Sequence, residues 1–93
     1  MSVRVLKLSS METIIGYIDY TSTEKILIVN DPYYINTYDK NIVLAPYLSY
    51  SADNILTISQ SQVVYSYTPN KKIIDEYENA RKKCGISIKQ ETL

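Results

Sequence analysis

Thr13-Ile14-Ile15-Gly16-Tyr17-Ile18-Asp19-Tyr20 alternates: Ile14, Gly16, Ile18 and Tyr20 share one face, and Thr13, Ile15, Tyr17 and Asp19 the other. That is the period of two of a β-strand. A glycine inside a strand weakens it, so Gly16 marks a bend or a close approach of another backbone. A sheet that curls into a small barrel needs such a position.

Working outward, residues 3–8 read as a strand and Ser9-Ser10-Met11-Glu12 as the turn joining it to the first stretch. After a polar turn at residues 21–24, residues 25–30 carry Ile26, Leu27, Ile28 and Val29. Apolar residues on both faces imply burial on both sides. Asp31-Pro32 interrupts the ladder, because proline has no N–H and restricts its predecessor. Residues 33–38 continue the strand past that kink. A turn at residues 39–41 precedes a strand over 42–50, and residues 51–54 form either a bulge or a true break. Then come a short strand over 55–58, a tight Ser59-Gln60-Ser61-Gln62 turn and a last strand over 63–67.

The final element is a helix over residues 69–84, with Thr68 as N-cap, Pro69 in the first turn and Gly85 as terminator. Ile73, Tyr77, Ala80 and Cys84 fall on one stripe, and Glu78 and Lys82 make an i, i+4 pair. Cys84 reads as a small packed hydrophobe on that stripe. The organisation expected is a β-domain over residues 1–67, a packed helix over 68–85 and a tail over 86–93.

At 93 residues the core is thin, and chains this small compensate with disulfides, metals or oligomerisation. One cysteine and no histidine exclude an internal disulfide and a Cys/His zinc site. Oligomerisation remains. Thirty residues between Lys40 and Lys71 hold a single charge, Asp53, although two or three strands are expected there. Exposed strand edges are usually guarded by lysine, proline or bulges. Val63, Val64, Tyr65, Ser66 and Tyr67 have none of these, so this edge is expected to be a subunit interface occupied by a neighbouring copy.

Ten basic and ten acidic residues cancel, which is not the balance of a strongly basic nucleic-acid binder. Residues 1–70 carry a net −2 and residues 71–83 a net +2, as a solvated helix with basic residues toward its C-terminal end would. Ten tyrosines stand beside no Phe or Trp, which fits either an AT-rich genome or a stacking surface. The N-terminal alternation of charged and aliphatic residues is not that of a signal peptide, and no apolar stretch approaches the ~18 residues of a membrane span. A reducing cytoplasm, without membrane partners, is the expected location. No Ser-His or Cys-His pair is possible, the two glycines make no phosphate loop, and the carboxylates are scattered except for Asp75, Glu76 and Glu78 in the helix. No enzyme and no cofactor are expected.

Residues 3–67 resemble the Sm-like family, the LSm and Hfq-type proteins, in pattern. Gly16 with Ile18 matches the family's bend glycine and following aliphatic, and residues 55–58, 59–62 and 63–67 match its strand, very short turn and last strand. With a helix after the last strand, the chain is most similar to short Sm-like proteins of phage genomes. The resemblance implies a mainly β fold: a small, strongly bent antiparallel SH3-type barrel of five or so strands with a C-terminal α-helix. It also implies a homo-oligomeric ring of five to seven copies, in the cytoplasm of a bacterial host if the source is a phage.

The family's uridine pocket draws on an Asp and an Asn after the second strand and on cationic residues at the last turn. Here the first two positions fall near Ser22 and Ile26, and the last turn has no cation. Single-stranded RNA binding would fall to Tyr20, Thr21, Ser22, Lys25, Gln60 and Gln62, with Tyr20 as a stacking surface. The alternative is a structural or adaptor ring that binds protein and has lost the RNA site. For Gln60 and Gln62 the competing role is to satisfy main-chain groups at the tight turn or to bridge subunits.

Overall fold

The computed structural model describes residues 2–19, 25–38, 41–48 and 53–91, with side chains at 37–38 and 84–91 outside that description. The chain is mainly β. Strands β1 (Ser2–Leu8), β2 (Thr13–Asp19), β3 (Ile26–Tyr38), β4 (Asn41–Pro46), β5 (Ile55–Ser59) and β6 (Val63–Tyr67) form one antiparallel sheet, followed by helix α1 (Lys71–Glu91). A single 3-10 turn, Gln60–Gln62, separates β5 from β6.

The sheet runs β4-β3-β2-β1-β6, with β5 also on β3. The five or so strands expected are six among the described residues, and there they do not close into a barrel. The reason is the 3-10 turn, which switches the chain from pairing with β3 to pairing with β1. The two strands beside it are never paired with each other.

Gly16 shapes the centre of the sheet. Ile15 pairs with Tyr33 and Tyr17 with Asn30, so Asp31 and Pro32 together oppose Gly16 as a bulge. A Cβ on Gly16 would lie 2.5 Å from Val29 Cγ1 and 3.0 Å from the Asn30 carbonyl oxygen. Close approach of β3 is therefore what requires glycine. Asp31 adopts a left-handed φ of 50°, which aspartate tolerates better than most residues. Because the bulge absorbs Pro32, β3 continues as one strand; residues 26–30 pair with β5 and 33–38 with β4. The strand expected over 42–50 is shorter, ending at Pro46, after which the Tyr47 N–H donates to the Pro32 carbonyl at 3.0 Å.

Both faces of the sheet are covered. Leu6, Leu8, Ile14, Ile18, Leu27 and Val29 form the core on one face, flanked by Tyr47, Leu56, Ile58 and Val63. On the other face Val5, Ile15 and Tyr33 pack against Tyr77 of α1, with Ile73 and Ala80 beside them. The apolar stripe of the helix therefore covers the second face of the sheet.

The ends of α1 differ from expectation. Asn70, not Thr68, is the cap: its Oδ1 accepts from the Ile73 N–H at 3.0 Å, while the Thr68 hydroxyl accepts from Arg4 Nη1. Gly85 does not terminate the helix, which runs to Glu91; an interior glycine costs only about 1 kcal/mol relative to alanine. Thus residues 86–91 are helical rather than a tail, and the packing proposed for Cys84 lies outside the described side chains. Glu78 pairs with Arg81 at i+3 rather than with Lys82.

Candidate interaction surface

Strand β6 is held on one side only. Val5 pairs with Tyr67, Leu6 with Ser66, Lys7 with Tyr65 and Leu8 with Val63, with an irregularity between Lys7 and Leu8. The outer edge of β6 meets no other strand among the described residues. Val64, Tyr65 and Tyr67 are 64%, 54% and 48% exposed, and the two tyrosine rings stack at 6.3 Å. Among the described residues β5 pairs only with β3, and it exposes Ile55. Two uncharged open edges therefore flank one tight turn, and such edges are templates for further strand pairing.

The turn holds part of the polar set expected from the sequence. The Gln60 N–H donates to the Lys25 carbonyl at 2.9 Å, so these two exposed residues meet. Gln62 faces elsewhere: its Oε1 accepts from the Ser9 hydroxyl at 2.8 Å, and its carbonyl accepts from the Ser9 N–H at 2.7 Å. The Ser59 hydroxyl oxygen caps the turn by accepting from the Ser61 N–H. Tyr20, Thr21 and Ser22 lie outside the described residues.

Arg4 was missed as a candidate. Its guanidinium crosses from β1 to the end of β6, donating to Ser66 Oγ and Thr68 Oγ1, each at 3.0 Å, and its Nε is buried without a hydrogen-bond partner. The signal was available: strand parity puts Arg4 on the face of Leu6 and Leu8, where a charge needs an explanation.

Two further polar clusters were invisible in the sequence. Asp31 accepts from Arg81 Nη2 at 2.8 Å, Arg81 Nη1 spans both Glu78 oxygens at 3.1 Å, and the Tyr17 hydroxyl donates to Glu78. That last bond, with burial, pushes the Tyr17 phenol above its ordinary pKa. Burial foremost pushes Tyr77 up as well. Arg81 also lies 4.8 Å from the Tyr17 ring centroid. Each charge here has an opposite partner, so the cluster clamps α1 to the sheet. At the other end, Tyr34 and Tyr47 stack at 4.6 Å beside Glu12. The Ser10 hydroxyl first, then Tyr34 and Tyr47, hold the Glu12 carboxyl below its ordinary pKa.

No three metal-ligating side chains cluster among the described residues, and none of their helices is long and apolar enough to cross a membrane. Comparison of the chain with protein-family models and with curated protein sequences finds no match.

Proposed function

We propose that the chain is an Sm-like protein that assembles into a closed homo-oligomeric ring of five to seven copies, and that the ring binds single-stranded RNA. The observation that carries the reading is the pair of open, uncharged edges on β5 and β6, on either side of one 3-10 turn. In a ring, β6 of one copy lies against β5 of the next, and each subunit supplies the strand its neighbour's curled sheet lacks. Head-to-tail pairing of this kind closes when the rotation per subunit does. Because the turn lies between the two pairing strands, Gln60 and Lys25 recur once per subunit around the assembly, and repetition raises avidity without new contacts.

A second reading, a structural or adaptor ring that binds protein, is favoured by one observation. The Gln62 amide is engaged with Ser9, which is the behaviour of a residue that fixes the turn. Titration with labelled oligouridine and oligoadenosine at two salt concentrations separates the readings. RNA binding through few cations gives saturable binding with a shallow salt slope. Absence of binding by the assembled ring leaves the adaptor reading.

A further inference from the structure

A cleft of about 270 Å³ lies between α1 and β4, lined by Ile42, Leu44, Glu76, Asn79, Ala80 and Lys83. A second hollow of about 160 Å³ adjoins it, lined by Asn41, Ile42, Lys72 and Glu76. Together they make one groove running from Asn41 and Lys72 to Leu44 and Lys83, with the strand and helix pointing the same way. One wall is a strand edge: β4 pairs with β3 on one side only, and its other side is unpaired among the described residues. Ile42 and Leu44 are half-buried toward the helix while Asn41, Val43 and Ala45 are exposed. Residues 41–48 carry no charge, so the charges along this edge come from the helix.

We propose that this groove binds an extended peptide segment of a partner protein, added as a strand to β4, with aliphatic side chains in the groove and a carboxylate at each end. Main-chain pairing with an exposed edge gives affinity, and alternate side chains give specificity. Lys72 and Lys83 stand at the two ends of the groove and Glu76 between them, so a carboxylate is favoured at each end and an uncharged side chain in the middle. Lys72 and Lys83 are eleven residues apart, roughly 16 Å along a helix; the six steps of a seven-residue extended segment cover about 20 Å, and the long lysine side chains take up the difference. Lys72 and Lys83 are exposed and enter no ion pair shorter than 4.0 Å within the described residues. A period of two places an acidic, two aliphatic and a second acidic side chain of a seven-residue segment on one face.

The same charges disfavour a second copy here. Two-fold pairing of β4 with β4 would run the two helices antiparallel and bring Lys72 of one copy toward Lys83 of the other. Like charges facing each other across such a pair repel. This groove is also distinct from the edges of β5 and β6, so it does not depend on the ring.

The test is a fluorescence anisotropy titration of the full chain with fluorescein-labelled Glu-Thr-Leu-Thr-Leu-Thr-Glu and with the same peptide carrying lysine at both ends. Saturable binding of the first, at least tenfold tighter than the second, is expected. The exposed-site double variant Lys72→Glu/Lys83→Glu should reverse that order, a readout that a purely structural groove would not give. Equal binding of the two peptides, no saturable binding of either, or an order unchanged in the double variant overturns the proposal. Light scattering of Ile42→Lys supplies the remaining arm: an unchanged mass is expected, and a smaller one would mean that a second copy occupies the edge.

Discussion

The Tyr77 hydroxyl donates to the main-chain oxygen of Asp31 at 2.7 Å, tying the buried stripe of α1 to the bulge at the centre of β3. The bulge lies opposite Gly16, and the Asp31 carboxylate holds Arg81 one helical turn further on. The bend in the sheet and the docking of the helix are thus one structural unit, although the residues that make it are far apart in sequence.

Tyr77→Phe keeps the ring edge-on to Tyr33 but removes the hydrogen bond. A loss of about 1 to 2 kcal/mol at pH 7 is expected, measured by urea denaturation. The pH dependence has a definite sign. The folded-state pKa of Tyr77 is raised above that of the unfolded chain, where tyrosine titrates near 10 (about). Its contribution is complete below that value and is lost as pH rises beyond it. The variant's stability should therefore fall less steeply above about pH 10 than that of the native chain.

Gly16→Ala places a methyl 2.5 Å from Val29 Cγ1 and 3.0 Å from a main-chain oxygen that cannot move aside. Overpacking of this kind costs roughly 1 to 3 kcal/mol, and the upper part of that range is expected. In a double-mutant cycle, Val29→Ala should recover about 1 kcal/mol of coupling. Additive effects would mean that the side-chain contact is not what demands glycine.

Met11 sits in the β1–β2 turn at a φ of 75° and is 75% exposed. The left-handed region costs a residue with a Cβ roughly 1 to 2 kcal/mol, against about 0.5 to 1 for the greater unfolded freedom of glycine. Met11→Gly should raise stability by about 0.5 to 1 kcal/mol in the same denaturation assay, with no change in assembly.

Gln60 and Gln62 separate on the RNA reading. Gln60→Ala should weaken oligouridine binding several-fold with the ring intact, whereas Gln62→Ala, which frees Ser9, should loosen the turn and lower stability. Filter binding and thermal melting of both variants measure the two effects. Unchanged RNA affinity in Gln60→Ala would favour the adaptor reading.

Local patterning made much of the fold legible. Alternation marked β1 and β2, the tight turn at residues 59–62 set off β5 and β6, glycine marked the close approach, and the Ile73, Tyr77 and Ala80 stripe marked the buried face of α1. What was not legible depends on long-range geometry. Asp31-Pro32 read as an interruption, but with Gly16 opposite it becomes a bulge within one strand. Thr68 and Asn70 are both good caps in isolation; Arg4, distant in sequence, engages the Thr68 oxygen, and Asn70 caps the helix. Of the candidate site, Lys25 and Gln60 meet and Gln62 is turned toward Ser9. The pairing of Glu78 with Arg81 and Tyr17 could not be read from a helix segment that looks merely solvated.

The central claim is that the open edges of β5 and β6 close on each other between copies. Light scattering coupled to size exclusion, at micromolar concentration, tests it most directly. A single species of five to seven times the 10.7 kDa chain mass is expected, shifting to smaller species in Val64→Lys, which places a charge on the exposed β6 edge without touching either core. A stable 10.7 kDa monomer of the native chain would contradict the account.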